Sequence, residues 1–390
     1  MQTKYNKEIE FLLEFGNSNY IKNLSFPTKK FSNLNWNYIF NQADYHQISP
    51  YIYVNLKKSD ASVPKEFKKE FKLRYITSLS QYIYLEYAFK ELASKLINEK
   101  TEFVPLKGFA LAGFLYKDPT VRPVTDIDIL VKQEDLHKIH KILAKHGYKK
   151  TFAGLSDKYY REYHCHYMYV KNGILIEVHW ALSFDKPNKI VIPELWERTD
   201  DFKIHGLTLK NLSKEDTLLA LLLHQRRFDK PLYLKTLLDI SILLKKFKNQ
   251  IDWNYVIKLA IKNKLKSLFF LILFIVNKLF STPVPKEIFD KFYPGNIKKK
   301  IIQIIIENYI FHTENDSIAF RKKFYLILNF IWYDTLWDIL VYLLWLSQEK
   351  FAKYYNLKPY SYKTKYLYKI RSIFIPFNAF LRLFRKLKFF

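Results

Sequence analysis

The sequence is short of the residues from which several common sites are built. Among its 390 residues there is one cysteine, Cys165, and there are only eight glycines. A single thiol closes no internal disulfide and makes no cysteine-based zinc site. The glycines are too dispersed for G-x-G-x-x-G, and no Lys-Ser/Thr follows the nearest pair, Gly108 and Gly113. A dinucleotide-binding Rossmann domain and a P-loop are therefore excluded. Long hydrophobic runs are missing as well. Ser267–Val276 meets Asn277 and Lys278 at once, Ile339–Leu346 is preceded by Asp334 and Asp338, and both stop far short of the roughly 20 apolar residues that a bilayer requires. The first twenty residues carry acids where a signal peptide needs an unbroken apolar core, so the expected compartment is a reducing cytoplasm.

Acidic charge is the other shortage. Sixty-four Lys and Arg against 37 Asp and Glu leave +27, enough to draw polyanions toward the surface. Much of this follows the heavy use of Lys, Asn, Ile, Phe and Tyr throughout. The distribution is uneven, however: residues 351–390 hold ten Lys/Arg and no Asp/Glu, so +10 of the +27 lies in a basic, aromatic tail. That tail is a candidate for polyanion contact.

Periodicity divides the rest. Residues 1–95 repeat apolar positions at helical spacing, as in Leu34, Trp36, Ile39, Phe40 and Tyr82, Leu85, Phe89. From about residue 96 to 205 short apolar runs alternate with helical periods. Phe103–Leu106 reads as a strand, Phe109–Tyr116 as a helix, Lys117–Thr125 as a proline-containing loop, Asp126–Val131 as a strand and Gln133–His146 as a helix. Cys165–Val170 and Ile174–Trp180 flank Asn172-Gly173, a strong hairpin signal. Helices return over 206–350, at Glu215–Leu223, Leu232–Lys245, Trp253–Lys262, Ser267–Phe280 and Ile297–Ile310. The expectation is an α+β chain: a small mixed-sheet core at 96–205, helical regions at 1–95 and 206–350, and the tail at 351–390.

The sharpest chemical signal is Asp126-Ile127-Asp128. Alternation along a strand puts both carboxylates on one face and Ile127 and Ile129 in a core. Two adjacent carboxylates repel unless a cation lies between them, and a hard divalent ion such as Mg²⁺ suits oxygen ligands. Leu106-Lys107-Gly108 joins a strand end to a helix start, where backbone N–H groups and the helix dipole favour phosphate. Glu177, on the second hairpin strand, completes three carboxylates if that strand neighbours Asp126–Val131. Three such groups can hold two ions about 3.5–4 Å apart, as phosphoryl and nucleotidyl transfer require.

These residues resemble the uncharacterised bacterial nucleotidyltransferase family of the polymerase-β-like superfamily. The resemblance runs through Leu106-Lys107-Gly108, Leu115-Tyr116, Arg122-Pro123, Asp126-Ile127-Asp128-Ile129-Leu130-Val131, Gly147-Tyr148 and Glu177-Val178-His179-Trp180, in order over about 75 residues. It extends to Trp36, His46 and Pro50 upstream and to His224 and Leu237-Leu238-Asp239 downstream. It implies a nucleotidyltransferase core with Asp126, Asp128 and Glu177 as catalytic, metal-binding residues. By the same resemblance the Lys107-Gly108 turn positions the triphosphate. Arg122 and Thr125 are further nucleotide-binding candidates, Arg122 because a guanidinium gives forked contacts to phosphate, with a solvated loop arginine as its plainer reading. His179, His224 and Asp239 are candidates for the acceptor or pocket, and His179 reads equally as a packed histidine beside Trp180. The implied cofactors are Mg²⁺ or Mn²⁺, in a pair of ions. The implied substrates are an NTP such as ATP and a hydroxyl- or phosphate-bearing acceptor, which the sequence leaves open among a small molecule, a peptide or protein, and RNA, with release of pyrophosphate. Two departures from the wider superfamily are visible: the phosphate turn is Lys-Gly rather than Gly-Ser, and the third acid is Glu rather than Asp.

Other residues have plainer readings. His164 and His166 with Cys165 lack a fourth ligand at zinc spacing, and Cys165 lacks a constellation that would make it a nucleophile. His224 and Asp239 read equally as pocket residues or as an interhelical pair. A binding protein that uses an idle scaffold and a tail for nucleic acid or a membrane surface is the competing class; Tyr360–Tyr368 interleaves Tyr with Lys, and Leu381–Phe390 has the pattern of a basic amphipathic helix.

Overall fold

The computed structural model describes residues 6–17, 31, 33–59, 61–152, 156–184, 189–190, 192–204, 206–226, 232–311, 327–328, 330–344 and 347–373. Four helices come first: α1 (Asn6–Asn17), α2 (Trp36–Tyr45), α3 (Ser49–Leu56) and α4 (Lys65–Asn98). The Asn35 side chain caps α2 by accepting the Tyr38 N–H at 3.0 Å. Helix α4 has 34 residues, about 50 Å at 1.5 Å per residue, and spans both parts of the molecule. Its Phe71 belongs to the helical core, while Leu85, Phe89, Leu92 and Leu96 are buried beneath the sheet.

The middle of the chain supplies β1 (Phe103–Leu106), α5 (Lys107–Leu115), β2 (Ile127–Val131), α6 (Leu136–Lys145), β3 (Lys149–Thr151), α7 (Asp157–Tyr163), β4 (His166–Lys171) and β5 (Ile174–His179). Five strands form a mixed sheet in the order β1-β2-β5-β4-β3. Only the β2–β5 pair is parallel. Asn172 and Gly173 turn the β4–β5 hairpin with φ of 49° and 77°, the left-handed pair that a two-residue turn demands. Two small hairpins follow, β6 (Ser183–Phe184) with β7 (Lys189–Ile190) and β8 (Asp200–Ile204) with β9 (Leu207–Asn211).

Helices resume as α8 (Lys214–Gln225), α9 (Leu234–Lys246), α10 (Trp253–Lys262), α11 (Lys266–Phe280), α12 (Lys286–Lys291), α13 (Asn296–Asn308), α14 (Leu336–Leu344), α15 (Gln348–Tyr354) and α16 (Tyr362–Ile373). Ser213 caps α8 by accepting the Asp216 N–H at 3.1 Å. The apolar run of α11 is wholly interior, with Leu268, Leu271, Ile272 and Ile275 buried. Among the described residues no helix is long and apolar enough to cross a membrane.

The two faces of the sheet have different company. Ile127, Ile129 and Val131 of β2 and Ile176 and Val178 of β5 pack with α4 and α6 in one core. Val104, Leu106 and Leu130 belong to the other, which continues through α1, α3, α8, α9 and α11. Asp128 and Glu177 alternate onto this second face, where the helical regions meet the sheet. Period-2 alternation thus decides that the carboxylates look toward the helices and not toward α6.

The strand and helix expectations match the structure to within a few residues, and Trp253–Lys262 coincides with α10. The short edge strand β3, the helix α7 and the β8–β9 hairpin have no counterpart in the sequence reading. Each is brief, and each is stabilised by neighbours: β3 by β4, and the α7 cap residue Ser156 by Glu349, distant in sequence, whose Oε1 accepts the Ser156 N–H at 2.5 Å. The tail expectation falls only partly on described residues, because positions 374–390, including Leu381–Phe390, lie outside them.

Candidate active site

The site begins at the end of β1. Antiparallel pairing sets Leu106 opposite Asp128, so the next residue, Lys107, arrives with its Nζ 3.1 Å from Asp128 Oδ1. The chain then turns sharply, with φ of 30° at Lys107 and 33° at Gly108. This is backbone that L side chains resist and glycine accepts. A Cβ on Gly108 would stand in ordinary contact with the site, 3.5 Å from the Asp126 carbonyl and 3.5 Å from Asp128 Oδ2. The turn backbone therefore lies directly against the carboxylates, and α5 continues from it.

On β2, Asp128 is the register partner of Glu177 in the adjoining parallel strand β5. Asp126 lies two residues earlier on the same face, just before the strand starts. Carboxylate oxygens of Asp126, Asp128 and Glu177 all lie within 4.8 Å of one another. His179, two residues beyond Glu177, donates its Nε2–H to both neighbours, at 2.9 Å to Asp128 Oδ1 and 3.1 Å to Glu177 Oε2. Thr125 stands beside Asp126, its hydroxyl 3.4 Å from Oδ1.

Charge is unevenly shared in this group. Burial, with Asp128 and Glu177 adding to it, pushes the Asp126 carboxyl up to about 6 against the opposing pull of Lys107 and Lys235. Burial would raise Asp128 too, but Lys107 and the His179 hydrogen bond outweigh it and hold the carboxyl below its ordinary value. Glu177 is held well below the carboxylate range, burial again opposing and His179 prevailing. The His179 imidazole is opposed by burial and Lys107, yet its bonds to the acids raise it to about 10. His179 thus aims two carboxylates, while Asp126, the one acid of the three that is raised, is faced by Lys107 and Lys235.

That donor set fits a hard divalent cation. It offers carboxylate oxygens only, converging within 4.8 Å and partly buried. A second group, His164, Cys165 and His166, also gathers its ligand atoms within 4.8 Å. Burial lowers the His164 imidazole to about 4 and His166 further still. His166 Nε2 stands 3.7 Å from Glu177 Oε1, so these histidines back the acidic site.

Helices form the other wall. A cleft of about 240 Å³ is lined by Lys107, Gly108, Arg122, Thr125, the three carboxylates, Gln47, His224, Tyr233, Lys235, Thr236 and Asp239. The structure brings His224 and Asp239 to this cleft, but the Asp239 carboxylate is taken by others. Arg122 grips it through Nε at 2.9 Å and Nη2 at 2.8 Å, and Tyr116 donates to it at 2.6 Å. Arg122 Nη1 also donates to the Gly108 carbonyl at 3.1 Å. The expected interhelical pair is therefore replaced by an ion pair between α9 and the loop before β2, with Asp239 entirely buried. Arg122, which the sequence offers either as a phosphate contact or as a solvated loop arginine, is 5% exposed, with its guanidinium bonded to the Asp239 carboxylate and the Gly108 carbonyl.

Gln47, Tyr233, Lys235 and Thr236 were not legible from the sequence, since none sits in a motif and Lys235 is one of 64 basic residues. Their placement depends on His46, whose Nδ1 and carbonyl accept the Leu234 and Lys235 N–H groups at 3.3 Å each. This docks the first turn of α9 on the loop between α2 and α3.

A nucleotidyltransferase core is the class that this sheet, turn and carboxylate face define. The profile of the family described as uncharacterised nucleotidyltransferases matches residues 32–281, and the chain belongs to that family. No curated protein sequence matches the chain. Among solved structures, the crystal structure of ANT(2'')-Ia in complex with adenylyl-2''-tobramycin is 12% identical, over 45% of this chain and 94% of that one, with a TM-score of 0.33. The solution structure of the antibiotic-resistance factor ANT(2'')-Ia is 13% identical, over 45% and 88%, also with a TM-score of 0.33.

Proposed function

We propose that the chain is a divalent-metal-dependent nucleotidyltransferase that moves a nucleoside monophosphate from an NTP to an acceptor oxygen and releases pyrophosphate. The observation that carries this reading is the meeting of Asp126, Asp128 and Glu177, oxygens within 4.8 Å, beneath the Lys107–Gly108 turn. The acceptor oxygen attacks the α-phosphorus in line. One bond forms to that phosphorus, the bond to the bridging oxygen breaks, its electron pair leaves with pyrophosphate, and the acceptor hydroxyl's proton passes to solvent.

Asp126, Asp128 and Glu177 would hold the divalent ions, Mg²⁺ or Mn²⁺, which when bound lower the acceptor's pKa and neutralise the leaving group. Lys107 offers its ammonium to the triphosphate, and the Gly108 backbone admits close approach of the phosphates. Arg122 holds that backbone through the Gly108 carbonyl, acting on the turn and not on the nucleotide. His179 fixes the rotamers of Asp128 and Glu177 and supplies positive charge beneath them. His224 and Thr236 stand on the opposite wall, where they border the acceptor's path. The lone reduced cysteine suits a cytoplasmic setting.

The test is incubation of the full chain with each radiolabelled NTP and Mg²⁺ or Mn²⁺ and candidate acceptors, reading pyrophosphate and labelled product. Metal-dependent pyrophosphate release that Asp128→Asn abolishes supports the reading. Release that survives this substitution refutes it.

A further inference from the structure

Two lysines from different elements line the cleft. Lys107 enters from the turn after β1 and pairs with Asp128 at 3.1 Å. Lys235 enters from the first turn of α9, near enough for its charge to act on Asp126. We infer that the acceptor is an anion, a hydroxyl compound bearing a phosphomonoester whose phosphate is held at the Lys235 wall. This rests on the nucleotidyl-transfer reading above.

A count of the charged groups lining the cleft carries the argument. Four carboxylates are among the described lining residues: Asp126, Asp128, Glu177 and Asp239. The first three form the metal-binding group. Asp239 is closed off by the two-pronged contact from Arg122 and by the Tyr116 hydroxyl. Among the described residues no lining carboxylate is then left over to receive an ammonium group on an acceptor. The acceptor wall instead presents donors. Lys235 Nζ donates to Gln47 Oε1 and, at 3.3 Å, to the Pro123 carbonyl. These bonds fix the ammonium at the cleft wall. Beside the ammonium, the Gln47 amide adds N–H donors to this wall. A half-buried ammonium beside an amide N–H₂, at the positive end of a 13-residue helix, is suited to a phosphate dianion and opposed to a polycation. The net charge of +27 acts in the same direction at long range.

The experiment uses the full chain loaded with Mg²⁺ and α,β-methylene-ATP, into which glycerol 3-phosphate, glycerol or spermidine is titrated by calorimetry. Glycerol 3-phosphate should bind at least about tenfold more tightly than glycerol, and spermidine should not bind in the cleft. Lys235→Gln should weaken glycerol 3-phosphate about tenfold while changing the nucleotide analogue's affinity less than about threefold. Lys235→Arg, which keeps the charge, should restore most of the loss and guards against a merely misfolded variant. The inference is overturned if Lys235→Gln weakens the nucleotide analogue instead, if glycerol 3-phosphate binds wild type and variant alike, or if spermidine binds as tightly as the phosphate. Failure of the wild type to bind the metal–nucleotide analogue at all overturns the nucleotidyl-transfer reading itself, and is read before any acceptor is added.

Discussion

Asp126 is the carboxylate on which burial and the like charges of Asp128 and Glu177 prevail over Lys107 and Lys235. Its carboxyl is raised to about 6 from an ordinary 3.8, so without metal the folded state binds this proton more tightly than the unfolded chain does. The sign follows by linkage: the stability attributable to Asp126 is present at low pH and is lost as pH rises from about 4 to 6. Measured as the melting-temperature difference between wild type and Asp126→Asn in chelator, this contribution should decline across that window and level off above it. Because the ion needs the ionised carboxylate, apparent Mn²⁺ affinity should climb with pH up to about 6 and then flatten. A flat titration would place the titrating group elsewhere. The aiming role of His179 has its own check. His179→Gln keeps a donor but removes the cation, so kcat should fall about 10–100-fold with a smaller change in KM for NTP; a change in KM alone would make His179 a binding residue.

Among the elements, α9 and α5 are joined by the Asp239–Arg122 pair, which also holds the Gly108 carbonyl. Removing one partner strands a buried charge, so Asp239→Ala should cost about 3–5 kcal/mol of unfolding free energy. The double variant Asp239→Leu with Arg122→Met should recover much of that loss in denaturant titrations yet leave catalysis impaired, since nothing then braces the phosphate turn. Full catalytic recovery would reduce the pair to packing. The turn can also be probed directly. Gly108→Ala puts a Cβ at φ +33° and 3.5 Å from the Asp128 carboxylate. Strain of about 1–2 kcal/mol should appear as a lower melting temperature, together with a raised KM for NTP.

For the molecule as a whole, the basic C-terminus can be separated from the chemistry. Tyr362 and Tyr366 of α16 are 86% and 58% exposed, among the exposed lysines 363, 365 and 369. Replacing Lys363, Lys365 and Lys369 together with Gln should leave the melting temperature unchanged within a degree or two, because surface charges contribute little. If this surface captures a polyanionic acceptor, KM for that acceptor should rise and lose its salt dependence. Unchanged kinetics at low salt would make the charge compositional.

Strand alternation makes Asp126 and Asp128 share a face, the strand-end glycine marks the sharp turn beside them, and helical periodicity separates the flanks from the sheet. These were readable because each depends on residues within a few positions of one another. The convergence of Glu177 with Asp128 was readable only as a condition, since a parallel register between strands some fifty residues apart is set by packing and not by local preference. Arg122 and Asp239 could be named but not joined, because their pairing spans 117 positions. Lys235 and Gln47 could not be singled out at all. A lysine in a chain with so many acquires a role only when a fold places it in a cleft, and here His46 does so by docking the first turn of α9 beside the carboxylates.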